Sequence, residues 1–436
     1  MTDSPHDWSI RLGPTFVDGV LLTAAAIPDA ALIYCGSTCI QEHARDSYRI
    51  HDWGQTLIRS GPGTRLMTTF TDYTLAPMGL ASVIRENVDR LLEAWRPGLI
   101  VLAELSRITI AGDDLKSSAA ELAESTGIPT VAASSRYLVR DQDTAFRGLL
   151  SAIAGRLPDT AFARGLIPES AAVIGYFHER NEGDQEGNTA ELEGMLQDLG
   201  LTPVATWLSS TPMARLAEAA RASLLVALPQ GVEAARVLAE RSGATVVETD
   251  LPVGIEGTRE WLDTVARAAG ASHRVADVEK RRLPVVVRRV DWAVSQMLAG
   301  RRVVLAASPD WLGPLSRMLV EDLGIDVSSA LRRSRLAEGQ KEGAQSSTDP
   351  LRLHDPSVRT LNARINAERA GRGVDAIIGS SWERIALQGD CSGIPFVEFG
   401  FPSFRTHNLL PVPSLGFTGV MTWAERLAAA IGSLDD

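Results

Sequence analysis

The stretch Gly98-Leu99-Ile100-Val101-Leu102-Ala103, followed by a helical segment over 114–125 and then Gly127-Ile128-Pro129-Thr130-Val131-Ala132, sets the architecture of this chain. A short unbroken apolar run is the pattern of a strand buried on both faces. Two such runs joined by a helix make a βαβ crossover between parallel strands. The grammar recurs at Ala222-Ser223-Leu224-Leu225-Val226-Ala227, a helix over 232–241 and Gly243-Ala244-Thr245-Val246-Val247. It recurs again at Asp375-Ala376-Ile377-Ile378-Gly379, a short helix over 383–387 and Gly393-Ile394-Pro395-Phe396-Val397-Glu398-Phe399. Ahead of the second copy stands a further strand, Ala171-Ala172-Val173-Ile174-Gly175-Tyr176, and a helix over 188–199 closed by Gly200; ahead of the third, Arg302-Val303-Val304-Leu305-Ala306 and a helix over 311–323 closed by Gly324. Three doubly wound, Rossmann-like α/β domains with mostly parallel sheets follow. Their expected spans are 1–165, 166–290 and 291–436. The second boundary has little Gly or Pro from residue 258 onward and reads as a long helix, and the polar, small-residue segment 338–349 reads as a surface loop.

With 436 residues, 45 % hydrophobic and 22 % charged, the chain is long enough for several cores. Its formal net charge of −11 leaves no general basic field for nucleic acid or an anionic membrane surface. The start Met1-Thr2-Asp3-Ser4-Pro5-His6-Asp7 is unlike a secretory signal, and the longest apolar runs, such as 19–27, are far short of the ~20 residues that span a bilayer. A cytoplasmic location is therefore expected, without membrane or nucleic-acid partners. Three cysteines, Cys35, Cys39 and Cys391, make no disulfide framework.

No strand leads into a G-x-G-x-x-G or G-x-x-x-x-G-K-[ST] pattern, so no nucleotide is expected on this chain by those routes. Nor is there a G-x-S-x-G, an H-E-x-x-H or a zinc-spaced His/Cys group. One segment stands apart: Ile33-Tyr34-Cys35-Gly36-Ser37-Thr38-Cys39-Ile40-Gln41-Glu42-His43 follows an apolar run and sets two thiols around a small turn. The carboxyl end of a strand in an open α/β sheet is where a ligand crevice and a helix N-terminus meet. A helix N-terminus favours the thiolate that iron–sulfur clusters use. C-x-x-x-C is also compatible with two small buried side chains. Cys391, in the turn before the last strand of the third unit, reads as packing.

In their order along the chain, these pieces resemble the nitrogenase component 1 superfamily, which includes nitrogenase subunits, their cofactor-assembly scaffolds and dark-operative protochlorophyllide reductase subunits. Tyr34-Cys35-Gly36-Ser37-Thr38-Cys39 is similar to the family's His-Gly-Pro-x-Gly-Cys turn, with Cys39 on the cluster cysteine. Ile110-Ala111-Gly112-Asp113-Asp114-Leu115 resembles its Ile-Gly-Asp-Asp helix start, and Leu251-Pro252-Val253-Gly254-Ile255-Glu256-Gly257-Thr258 its Pro-x-Gly-x-x-x-Thr segment. Gly400-Phe401-Pro402-Ser403-Phe404-Arg405-Thr406-His407 and Leu415-Gly416-Phe417-Thr418-Gly419 resemble the β-type subunits most closely. The resemblance implies three domains around a central cleft, oligomerisation, and iron–sulfur clusters held between subunits.

The departures are specific. The family's first cluster cysteine, expected around Arg11-Leu12-Gly13-Pro14-Thr15-Phe16, is absent, and its third is replaced within Ala103-Glu104-Leu105-Ser106-Arg107. Cys39 remains of the three, with Cys35 as an additional thiol. A cluster held by three cysteines of this chain is not supported. The resemblance instead implies a [4Fe–4S] cluster at a subunit interface, with an α-type paralogous partner giving most ligands or a homodimer giving Cys35 and Cys39 twice. It further points to His43, Arg107, Ser380, Ser381 and His407 as pocket candidates facing the cleft. Asp113 and Asp114 read as helix N-terminal acids. Three functions stay open: a redox subunit fed with electrons by an ATP-dependent iron-protein-like reductase and reducing a small substrate, a scaffold for assembling a metal cluster, and a non-catalytic structural subunit.

Overall fold

A computed structural model describes residues 12–48, 57, 64–69, 80–104, 114–133, 141–333, 352–354, 356–387 and 389–432. Arg107, Asp113 and the segment 338–349 lie outside the described residues. The chain packs as two compact units: residues 15–185 with 200–249, and residues 1–14, 186–199 and 250–436.

The unit of residues 15–185 and 200–249 holds two four-stranded, wholly parallel sheets. In the first, β1 (Ala30–Cys35), β2 (Leu66–Thr68), β3 (Leu99–Glu104) and β4 (Thr130–Ala133) stand in the order β2-β1-β3-β4. Ahead of them runs α1 (Phe16–Ala25), started by a capping box in which Thr15 accepts from the Asp18 N–H and Asp18 accepts from the Thr15 N–H and hydroxyl. Nine of its ten residues are buried, so the longest apolar run of the sequence is a helix inside the core. Among the described residues no helix is long and apolar enough to cross a membrane. Buried Arg65 donates to the carbonyls of Ala24, Ile27 and Ala30, satisfying the end of α1 where its own ladder stops. Gly98, at the entry to β3, is required because Asp29's carboxylate occupies the place of a Cβ. Asp29 also accepts the Met213 N–H at 2.8 Å, tying the two sheets of this unit together.

The second sheet repeats the plan with β5 (Ile167–Ile174), β6 (Thr202–Thr206), β7 (Ala222–Ala227) and β8 (Thr245–Glu248), in the order β6-β5-β7-β8. The other unit carries the third sheet, of five parallel strands: β9 (Arg302–Ala307), β10 (Asp326–Arg332), β11 (Arg352–His354), β12 (Ala376–Gly379) and β13 (Phe396–Glu398), in the order β11-β10-β9-β12-β13. The doubly wound α/β class read from the three apolar repeats is therefore the observed one. The helix expected over 188–199 starts earlier, at Gly183, and that over 311–323 starts at Pro309. The long helix expected from residue 258 is two helices, Gly254–Ala268 and Val275–Ala293, because Gly270 turns with φ 69° between them.

In the two four-stranded sheets the first strand sits between the second and the third, and in the five-stranded sheet β9 sits between β10 and β12, so the connections leave to opposite sides. The carboxyl ends of β1/β3, β5/β7 and β9/β12 are consequently the switch points at which this architecture gathers ligand-contacting loops.

Candidate functional site

At the first switch point Cys35 closes β1 directly opposite Glu104 on β3. Its side chain is fully buried among Ile33, Ile84, Val88 and Leu102. The chain then turns through Gly36, whose N–H donates to Thr69 Oγ1 at 3.1 Å, and enters α2 (Cys39–Tyr48). Cys39 is exposed, with Ser37 Oγ 2.8 Å from its Sγ. The two thiols of the turn are thus unlike: one belongs to a core, the other to the surface at a helix start.

His43 lies one turn beyond Cys39, on the same helix face. Its Nε2 is 2.8 Å from Oδ1 of buried Asp18, whose other oxygen is held by the capping box of α1. The hydrogen bond to Asp18 raises the His43 pKa, burial opposes that, and the charges of Asp18 and Asp46 add to the rise. Tyr34 is buried beside them, and its hydroxyl donates to the Glu104 carbonyl at 3.4 Å. Burial first, then the nearby acidic groups of Cys35, Asp18, Cys39 and Glu104, pushes this phenol far above its ordinary value. The first switch point therefore combines an exposed thiol, an imidazole that favours its proton and a phenol that keeps its own.

At the third switch point, Ser380 N-caps the helix Ser381–Ala386 in a capping box with Glu383. The Ser381 hydroxyl donates to Glu398 at the end of β13. Glu398 also accepts from the Ser403 hydroxyl at 3.1 Å, the Arg405 N–H at 2.9 Å and the Thr406 N–H at 2.6 Å. Burial works against this carboxylate's charge, yet the donors from Ser381, Arg405, Phe404 and Thr406 outweigh it and hold the pKa below the ordinary glutamate value. Ser380 and Ser381 are buried and engaged in the fold, whereas His407, just past the loop that Glu398 gathers, is exposed. Cys39 and His43 come together in one unit, Ser380 and Ser381 in the other.

Sequence reasoning missed Asp18, Tyr34 and Glu398, the groups that fix these side chains. It also missed the loop after β5 and the first turn of the helix that follows, where His178, Glu179, Arg180, Glu182 and Asp184 are all buried. Arg180 meets Asp184 at 2.5 Å and Glu182 at 3.4 Å, and burial lowers the His178 pKa to about 4. The available signals were Thr15-x-x-Asp18 as a capping box and a charged run directly after an apolar strand. Asp114 is where expected, capping the helix Leu115–Thr126 by accepting the Lys116 N–H. Cys391 is buried in the core of the third sheet, its Sγ–H donating to Asn366 at 3.1 Å. Among the described residues no three His, Cys, Asp or Glu side chains gather to hold a metal ion.

A family model described as nitrogenase component 1 type oxidoreductase matches residues 17–432. A nitrogenase vanadium-iron protein beta chain of Trichormus variabilis is 26 % identical over 211 residues, 46 % of this chain and 44 % of the relative. The chain thus spans less than half the length of that beta chain, and likewise of a molybdenum-iron protein beta chain of Clostridium pasteurianum, where 38 % is covered at 24 % identity. A light-independent protochlorophyllide reductase subunit N of a Bradyrhizobium species is 28 % identical over 70 % of this chain and 74 % of its own length. Among solved structures, nitrogenase Cp1 at pH 6.5 superposes with a TM-score of 0.79 at 17 % identity, covering 100 % of this chain and 95 % of that one, a likeness of fold.

Proposed function

This chain belongs to the nitrogenase component 1 type oxidoreductase family, and from that premise we propose that it is one subunit of a nitrogenase-like complex that takes electrons from an ATP-dependent iron-protein-like reductase and reduces a small substrate. The observation that carries the reading is Cys39: the position that resembles the family's cluster cysteine is an exposed thiol at the first switch point. A ligand to a group shared between subunits has to reach the surface. Cys39 does, and Cys35 in its apolar cluster does not. One surface thiol per chain fits an interfacial [4Fe–4S] cluster only if the remaining ligands come from a partner, most simply an α-type paralogue.

When bound, such a cluster supplies one-electron transfer. What this chain contributes is the thiolate of Cys39, the nearby Ser37 hydroxyl, and the His43–Asp18 pair, which holds a proton one helical turn away. Hydrogen bonding to a ligating sulfur shifts the potential of a cluster, and that is the role proposed for Ser37. His407, and Arg107 outside the described residues, remain candidates for substrate contact in this reading.

Anaerobic isolation together with copurifying proteins, followed by iron and sulfide analysis and EPR, tests the proposal. Iron, sulfide and a reduced-state signal that disappear in Cys39→Ser support it; a colourless, iron-free complex overturns it. The same single-thiol geometry favours a second reading, a scaffold that holds a cluster loosely and hands it on. Repeated reduction of a substrate by the complex, supplied with reductase and ATP, decides against the scaffold.

A further inference from the structure

Helix α2 carries the exposed thiol of Cys39 on its first residue, and packing pins little of that helix. Its buried stripe is Ile40, Ala44 and Ser47, one large apolar side chain with two small ones. A ten-residue helix is marginal in isolation, and so thin a stripe fixes its depth better than its rotation about its own axis. That rotation decides where Cys39 points. At 3.6 residues per turn, His43 lies about 65° round the helix from the centre of the stripe, and Cys39 about 105° round on the same side. A contact made by His43 therefore sets the direction of the thiol.

Such a contact is present. His43 Nε2 is 2.8 Å from Oδ1 of Asp18, and among the described residues this is the one side-chain hydrogen bond from α2 to another element. Its anchor is firm. The Asp18 side chain is fully buried, its Oδ2 accepts from the Thr15 N–H and hydroxyl at 2.7 Å each, and nine of the ten residues of α1 are buried. The capping box uses one oxygen of Asp18 and leaves the other for α2. We infer that Asp18, acting through His43, is the positioning residue for the Cys39 thiol, holding α2 at the rotation that presents it as a ligand. This rests on the reading of Cys39 as the cluster ligand.

The test uses the full chain without a cluster: hydrogen exchange of the α2 amides, and continuous-wave EPR of a nitroxide attached to Cys39, the exposed one of the cysteines. His43→Ala keeps the capping box. It should speed α2 exchange at least about tenfold, the scale of one charge-assisted hydrogen bond, and narrow the nitroxide lines, with exchange in α1 unchanged. His43→Gln, whose amide can still donate to Asp18, should restore both readings. Asp18→Ala should match His43→Ala in α2 and lose the cap as well; His43→Ala keeps the test decisive if Asp18→Ala does not fold. Exchange and line shape unchanged in His43→Ala, or still altered in His43→Gln, overturn the inference. In the anaerobically isolated complex, His43→Ala should alter the reduced-state EPR spectrum and His43→Gln restore it, and an identical spectrum in His43→Ala overturns it too. Exchange and nitroxide mobility are read without iron, so their failure is distinguishable from failure of the cluster reading.

Discussion

Cys35 and Cys39 are four residues apart, and their environments assign them opposite roles. Cys35→Ala should keep bound iron and lower stability by about 1–2 kcal/mol through lost packing, whereas Cys39→Ser should lose iron with an unchanged urea midpoint. His43 makes a prediction in pH. Its folded pKa lies above the unfolded value of about 6.5, so the contribution of the His43–Asp18 contact is complete below that pH and is lost as pH rises through the folded value. Denaturation midpoints measured across that window should fall with pH in the wild type and lose this component in His43→Gln. Glu398 runs the other way. Its folded pKa is depressed, so its contribution is complete above about pH 4.3 and fades as pH drops through the folded value. Glu398→Gln turns an amide donor toward hydroxyl and N–H donors and should cost about 2–3 kcal/mol in urea denaturation, with no change if the carboxylate were merely a neighbour.

At the scale of elements, the fold was legible where periodicity is strong. The runs 99–103, 222–227 and 376–379 are strands because each is apolar on both faces, and each proved to pair in parallel within its own sheet. Boundaries were less legible, because capping decides them: the helix after β9 starts at Pro309, a proline at its first turn, ahead of the apolar spacing that reveals the rest. The site was legible only in its chemistry-bearing residues. Cys39 and His43 stand out by type and spacing, but nothing in the sequence says that Asp18, from the preceding helix, is the group that anchors His43. Nor does it say that Cys35 points into the core, since a terminal strand residue has two faces to choose from. Glycine at the entry to β3 offers a test of the packing. Gly98→Ala drives a methyl into Asp29's carboxylate and should destabilise by roughly 1–3 kcal/mol, read by the same denaturation experiment.

At the scale of the whole chain, three sheets of one plan present three switch points, and only the first carries an exposed thiol. A cluster of four irons needs more thiolates than one such chain exposes, which makes the proposed activity a property of an assembly. The most direct measurement is the iron and sulfide content, with EPR of the reduced state, of the anaerobically isolated complex in wild-type, Cys35→Ala and Cys39→Ser forms. The account predicts matched iron and sulfide and a reduced-cluster signal in the first two and neither in the third; iron retained in Cys39→Ser, or absent from the wild type, would contradict it.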